Sequence, residues 1–237
     1  MLKTSKINFG IRIITYPRLD GRTPNFLRKT IESVVSQSWC DWTIYLVGDS
    51  YHPNDEFESF LNFAPSGKIK IENPKLQSER FIFNDYRKVS CFGGKCASNY
   101  CLDWMVRDGI THVAILDHDD IWFSNHLKTL YEAYTLFPDA YFVYNAGKYH
   151  NHPCFPESNC QYQYNNLLPM GGSVLHSSVS WRLDKIPLRY TYSFEKNGNP
   201  VYGDIKMWHD MRSHFEKNNY KFIFTNKATM THRANSP

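Results

Sequence analysis

Nowhere does the chain hold an apolar run approaching the roughly twenty residues that cross a bilayer, which excludes an ordinary membrane-spanning helix. The N-terminus, MLKTSKINFGIRIIT, starts charged, but its apolar part is too short and interrupted for a signal peptide. There is no CxxC pair among Cys40, Cys91, Cys96, Cys101, Cys154 and Cys160, and no histidines stand at finger spacing, which argues against a structural zinc site. The five-residue recurrence of Cys91, Cys96 and Cys101 fits neither one helical face nor a redox motif, so free thiols are expected. Cys154 and Cys160 could close a small loop only in an oxidising compartment, for which the chain carries no address. Basic residues form no block, and the formal charge of +4 is small and dispersed, so no nucleic-acid partner is expected. Internal repeats and linker-like stretches are absent as well. One cytoplasmic domain spanning 1–237 is the expectation.

What the chain does have is enough apolar matter for a full core: 237 residues, 42% hydrophobic and 16% aromatic. Ile11 to Thr15 is a β-branched run that predicts a first central strand. Thr23 followed by Pro24 predicts a capped helix start, with Phe26, Leu27, Ile31, Val34 and Val35 at helical spacing up to an end at Trp39. Strands follow at Trp42 to Val47 and Ile69 to Ile71, then a helix from Lys95 to Val106 behind Gly93 and Gly94. After the strand His112 to Leu116, Ser124 is expected to cap a helix that Pro138 stops, and Ala140 to Tyr144 is another strand. Tyr149 to Asn166 reads as a long loop, PMGGSVLHSSVSW as a strand turning into a short helix, Ile205 to about Lys217 as a helix, and Tyr220 to Thr225 as a late strand. This alternation predicts an α/β fold with a doubly wound sheet, in which ligands bind beyond the carboxyl ends of the strands.

The run LDHDDIW, Leu116 to Trp122, places three carboxylates and a histidine at such an end. On an extended backbone residues two apart share a side, so Asp117 and Asp119 would face one point while His118 faces away. Two anions so close call for a cation. Hard carboxylate oxygens suit Mg²⁺ or Mn²⁺, whose open positions substrate phosphates commonly fill, which points to a nucleotide diphosphate. An acidic turn capping the next helix fits the tetrapeptide equally well.

Several segments together resemble a known family. RKTIESVVSQSW follows the first strand, Asp49 ends the second in LVGDS, and Asn99 stands mid-helix in GGKCASNYCLDWM. AILDHDDIWFSNHL carries the acidic motif, GGSVLHSSV matches an acceptor-side strand, and YGDIKMWHDM matches the segment with the catalytic base. In this order they resemble the inverting glycosyltransferases of family 2, which have the GT-A fold and include spore-coat and capsule polysaccharide enzymes. That resemblance implies a Rossmann-like mixed sheet flanked by helices, with a nucleotide-binding half over about 9–122 and an acceptor-binding half over about 123–237. It further implies a hexosyltransferase that uses a nucleotide-sugar donor, UDP-linked, and a divalent ion, Mn²⁺ or Mg²⁺. The acceptor would be a glycan, a glycoconjugate or another hydroxyl compound, with room for peripheral membrane contact.

By the same resemblance Asp204 is the general base, and Asp119 is the direct metal ligand with Asp120 supporting through water. His232 is a further metal ligand, Asp117 or His118 contacts the ribose, and Arg233 could reach a phosphate. An unperturbed Asp, with a pKa of about 3.9, is ionised at neutral pH and can accept the acceptor's proton. Each role has a plainer competitor: Asp204 as an N-cap, Asp120 as a helix-start residue, His232 as surface. Thr15, Tyr16 and Arg18 lie just past the first strand, where Tyr16 could stack on a base, or else serve as a turn aromatic and a solvated Arg. Asp49 could accept from a uracil N–H or close an Asx turn. Lys95 could pair with phosphate or base, or face solvent in a first helical turn. Trp181, Tyr162, Tyr164, Tyr190 and Tyr192 fall on the acceptor side, where one or two would touch sugar and the rest would be core.

Two positions depart from the family pattern. Gly203 stands where many members have the first of two acidic residues, and Ser50 where many have a second aspartate. A sugar-phosphate nucleotidyltransferase shares the sheet and the metal chemistry, but YPRLDGR does not resemble its glycine-rich basic loop. A donor- or glycan-binding protein that has lost catalysis is the non-enzymatic alternative, kept open by Gly203.

Overall fold

The computed structural model describes residues 7–150, 152–156, 162–164 and 174–232. The first half runs β1 (Phe9–Thr15), α1 (Thr23–Val35), β2 (Trp42–Gly48), α2 (Asn54–Ser59), β3 (Ile69–Glu72), α3 (Glu79–Ile82), α4 (Tyr86–Phe92), α5 (Lys95–Arg107) and β4 (His112–Ile115). The second runs β5 (Ile121–Trp122), α6 (His126–Leu136), β6 (Ala140–Tyr149), β7 (His152–Phe155), β8 (Tyr162–Tyr164), β9 (Val179–Arg182), α7 (Gly203–Asn218) and β10 (Lys221–Thr231). All ten strands join one sheet in the order β3, β2, β1, β4, β9, β6, β10, β5, with β7 paired to β6 and β8 to β10. The expected mixed α/β architecture is present.

Strand direction decides where the chemistry collects. β1, β2, β3 and β4 are mutually parallel, and β10 is parallel to β6. Between those blocks β9 runs antiparallel to both β4 and β6. The carboxyl ends of β1, β2, β4, β6 and β10 therefore share one edge of the sheet, and β9 begins at that edge.

Alternation along β1 separates two cores. Phe9, Ile11 and Ile13 pack with Leu27, Ile31 and Val34 of α1 and Leu127 and Leu130 of α6, while Ile14 joins Ala97, Cys101 and Met105 of α5 on the opposite face. Gly10 also faces α5; a Cβ there would stand 2.8 Å from Ile110 Cγ2 and 3.1 Å from Met105 Sδ, so the bare backbone permits the close approach. Arg12 lies on this same side, 2% exposed, and needs buried partners.

Several boundaries differ from expectation. Thr23 does not cap α1, whose N-cap is Arg22; its hydroxyl donates to Tyr16 O and accepts from Arg18 N–H, both at 2.9 Å, and so ties down the loop after β1. The helix ends at Val35, and Trp39 stacks instead on Tyr131 at 3.8 Å. Asn125, not Ser124, precedes α6, with no side-chain cap. Part of the expected loop after Tyr149 is strand, because β7 and β8 find partners in β6 and β10. A 3₁₀ turn, His176–Ser178, comes before β9 rather than after it. The short helices α2, α3 and α4 carry too few turns to show a period in the sequence.

Candidate active site at the carboxyl edge of the sheet

A cavity of about 650 Å³ opens at this edge and is bordered by Asp117, His118, Asp119, Tyr16, Lys95, Asp204 and His232, among others. Seven of the ten site residues expected from the sequence thus share one space. Past β4 the backbone is not extended: Asp120 N–H donates to Asp117 O at 3.1 Å, closing a turn. Asp117 and Asp119 still both border the cavity, so the acidic pair is brought together by a turn and not by strand alternation. The Thr30 hydroxyl lies 2.9 Å from the carbonyls of His118 and Asp120 and pins the turn to α1. His118 is buried, its Nδ1 3.2 Å from Ile14 O and its ring edge-on to Tyr16; burial pushes its pKa down.

Asp117 does not wait for a metal to relieve its charge. Its two oxygens lie 3.0 and 2.8 Å from His176 Nδ1, and Arg12 Nη2 is 3.5 Å from Oδ1. Burial opposes a charged imidazole at His176, but Asp117 outweighs it and pushes the pKa up, which favours the imidazolium. In turn, burial would raise the Asp117 carboxyl, but the His176 charge and hydrogen bond hold it below the usual carboxylate range. Arg12 completes the floor with Nη1 3.3 Å from Ser98 Oγ. His176 Nε2 meets the Tyr190 hydroxyl at 2.8 Å, and Asn99 clamps the Tyr190 backbone, accepting its N–H at 2.8 Å and donating to its carbonyl at 2.9 Å.

Asp120 is 1% exposed and lies in the turn, well ahead of α6, so it is not a helix-start residue. Ser177 Oγ donates to its Oδ2 at 2.5 Å, and His232 Nδ1 is 3.0 Å from Oδ1. His232 is carried here by β10, with its N–H on Lys148 O at 2.9 Å. The Asp120 hydrogen bond raises the His232 pKa. His232 is therefore no loose surface residue.

At the end of β2, Asp49 is buried behind the cavity wall. Its Oδ2 accepts from Arg80 Nε at 3.0 Å, while Oδ1 makes no hydrogen bond of ordinary geometry although the Ser78 hydroxyl is near. Burial pushes the Asp49 carboxyl up, and Ser78 and Arg80 partly offset this. The Arg80 guanidinium lies 3.3 Å over the Tyr16 ring and itself borders the cavity. Thr15 and Arg18 do not border it: Thr15 is fully buried, and Arg18 is engaged with Asp20 at 3.2 Å.

Another part of the cavity wall is the first turn of α7. Its N-cap is Tyr202, so Asp204 is a first-turn residue and not the cap; its Oδ1 accepts from Ile205 N–H at 2.8 Å. A Cβ on Gly203 would stand 2.7 Å from Lys95 Cε. Lys95 is 4% exposed, donates Nζ to Thr191 O, and lies 4.1 Å from the Phe92 ring centroid, so it does not face solvent. Burial pushes its pKa down to about 8. The space beside Gly203, where the sequence resemblance implied an acid in many relatives, is occupied by the Lys95 amine stem.

No family model matches the chain. Among curated proteins it is 36% identical, over 97% of its own length and 95% of the relative's, to an uncharacterized glycosyltransferase of Acanthamoeba polyphaga mimivirus. The chain belongs to the glycosyltransferases. Solved structures agree on a GT-A architecture. S. aureus TarS in complex with UDP-GlcNAc superposes with a TM-score of 0.66 at 13% identity, over 97% of this chain and 60% of that one. The mannosyltransferase PcManGT from Pyrobaculum calidifontis, in complex with GDP-Man and Mn²⁺, superposes with a TM-score of 0.60 at 10% identity, over 97% of this chain and 58% of that one. The glycosyltransferase spans about three fifths of each of these two chains.

Among the described residues of the glycosyltransferase, no three His, Cys, Asp or Glu side chains converge as a ready-made metal site. No described helix is long and apolar enough to cross a membrane. Of the aromatics expected on the acceptor side, Trp181 is fully buried core, Tyr190 borders the cavity, and Tyr192 is half exposed beside it. The side chains of Tyr162 and Tyr164, and Cys160 and Arg233, lie outside the described residues. Sequence reasoning missed Arg12, Arg80, His176 and Ser177. Arg12 had a signal, a lone charge inside the apolar run IRIIT; His176 sits inside the quoted GGSVLHSSV, with nothing to say that β9 would bring it to Asp117.

Proposed function

We propose that this glycosyltransferase is a metal-dependent inverting enzyme of family 2 that moves a hexose from a UDP-linked donor to a hydroxyl of a glycan or glycoconjugate. The observation that carries this reading is that Asp119, from the turn after β4, and Asp204, from α7, border one cavity from different elements. A donor held between them would meet the leaving-group side at one carboxylate and the acceptor side at the other. The complexes of TarS with UDP-GlcNAc and of PcManGT with GDP-Man and Mn²⁺ favour a nucleotide-sugar donor. The chain is read as one domain with a nucleotide half and an acceptor half meeting at this cavity.

Asp204 is the general base. Its carboxylate takes the proton of the acceptor hydroxyl as that oxygen attacks the anomeric carbon opposite the leaving diphosphate, and the Ile205 N–H keeps one oxygen fixed while the other is available. Arg80, held flat over Tyr16 by Asp49, offers its remaining N–H groups to a base carbonyl, so Asp49 acts partly through Arg80. Thr15 and Arg18 shape that end of the site from behind.

The donor set fits Mn²⁺ or Mg²⁺. Asp119 supplies a hard oxygen at the cavity, with Asp120 and His232 adjacent, and few protein ligands suffice because such ions keep positions for water and substrate phosphates. When bound, the ion would offset the negative charge that builds on the departing diphosphate. The pair of buried Asp120 with the partly exposed His232 orients the turn that presents Asp119.

Incubation with labelled UDP-hexose and Mn²⁺ tests the reading, because a working transferase hydrolyses donor slowly even without acceptor. Asp204→Asn, which retains an oxygen for the Ile205 N–H, is expected to leave donor binding intact and lower turnover by about 10²- to 10⁴-fold. Unchanged turnover would remove Asp204 from the role of base. Donor binding with no hydrolysis by the parent protein would favour a relic that only binds, the alternative that Lys95 against Gly203 keeps open.

A further inference from the structure

We infer that His176 is a positioning residue of the donor site: clasped between Asp117 and the Tyr190 hydroxyl, it fixes the direction in which the Asp117 carboxylate faces the cavity. The inference rests on the proposed donor site, takes Asp117, which borders the cavity two residues before Asp119, as the donor contact expected of Asp117 or His118, and adds the device that aims it.

The geometry is that of a two-sided clamp. Nδ1 of His176 lies within 3.0 Å of both Asp117 oxygens, and Nε2 lies 2.8 Å from the Tyr190 hydroxyl, so neither ring nitrogen is free to turn elsewhere. Tyr190 is itself immobilised through its backbone by the paired Asn99 hydrogen bonds at 2.8 and 2.9 Å. The ring of His176 packs against Trp208 with centroids 5.8 Å apart, one turn beyond Asp204 on the same face of α7. His176 therefore spans the gap between the acidic turn and the helix of the proposed base. A carboxylate on an irregular turn has two free torsions. Here both are restrained by His176, from the turn that precedes β9, leaving the 35% exposed face of Asp117 for a hydroxyl of the donor.

His176→Asn and His176→Gln separate this role from packing. Asn carries its amide nitrogen on Cγ, as histidine carries Nδ1, and so can still donate to Asp117. Gln places its amide one atom further, near the position of Nε2, and keeps only the Tyr190 side. Affinity is measured by calorimetry with Mn²⁺ and UDP-N-acetylglucosamine or GDP-mannose, whichever the parent protein binds more tightly. His176→Gln is expected to weaken binding about tenfold, and His176→Asn to stay within about threefold of the parent. In an Asp117→Asn background, where the charged partner is gone, His176→Gln should add no further loss. Thermal melting confirms that each variant is folded. If Asp117→Asn weakens binding while His176→Gln leaves it unchanged, or if Asn and Gln at 176 are equally damaging, the positioning role is overturned and the Asp117 contact survives. If Asp117→Asn itself has no effect, the donor contact falls and the positioning role falls with it.

Discussion

Replacing Lys95 by Met should make the protein more stable near neutral pH, although it removes an ammonium with a hydrogen bond and two aromatic neighbours. Burial lowers the Lys95 pKa from 10.5 to about 8, which at about 1.4 kcal/mol per pH unit corresponds to a cost of about 3 kcal/mol for carrying the charge in the folded state. Below pH 8 the amine is charged whether folded or unfolded, and that whole cost is present. Between 8 and 10.5 the folded chain has released a proton that the unfolded chain still holds, so stability rises with pH; above 10.5 the cost has vanished. Methionine has a similar length and no charge. It forfeits the bond to Thr191 O, about 1–2 kcal/mol, but that carbonyl belongs to an exposed residue and can turn to water. The net expectation is a gain of about 1–2 kcal/mol at pH 7 that disappears, and turns into a loss, toward pH 10. Urea unfolding of both proteins at pH 7, 8.5 and 10 reads this directly, since other titrating groups cancel in the difference. A variant whose stability difference from the parent stays flat across that range refutes the reasoning. Weakened activity in the stabilised variant would show that the buried amine is retained for function.

His112 and His126 are buried, and burial pushes their pKa values from 6.5 to about 4 and about 3. Depressed values mean stability that is complete above pH 6.5 and lost as pH falls toward 4, so denaturant midpoints should drop across that window; His112→Gln should shallow the drop. Gly203→Ala is expected to cost about 1–2 kcal/mol, because its Cβ meets Lys95 Cε at 2.7 Å, and to cost little in a Lys95→Ala background; equal costs in the two backgrounds would dissociate the glycine from the lysine. Arg80→Met leaves Asp49 buried without its cation and should destabilise by about 1–3 kcal/mol while weakening nucleotide binding; a neutral result would mean that Asp49 does not depend on Arg80.

Much of the site was legible because its residues sit at ends of strongly patterned strands. The run IRIIT, the WTIYLV strand ending at Asp49, and the apolar HVAIL before Asp117 each mark a carboxyl end by local sequence alone. Asp117, Asp119, Lys95 and Asp204 therefore could be nominated without coordinates, and all four border one cavity. Their states could not. Spacing suggested that Asp117 and Asp119 repel until a metal joins them, whereas His176 and Arg12 already neutralise Asp117. Lys95 read equally well as a solvated first-turn residue, and only tertiary packing, with α7 at Gly203, Thr191 O and the Phe92 and Tyr192 rings around it, buries it.

The sequence by itself determined the main strands and the longer helices, the sheet-edge location of the carboxylates and the family to which the chain belongs, since these depend on local period, turn residues and motif order. Tertiary structure alone decided how the charges at the acidic turn are paired. An antiparallel β9 inserted between β4 and β6 brings His176 to Asp117 across 59 residues, and β10 brings His232 to Asp120. The physical reason is that ion pairing is set by separation in space, and strand direction within a sheet, a property of the whole fold, sets that separation.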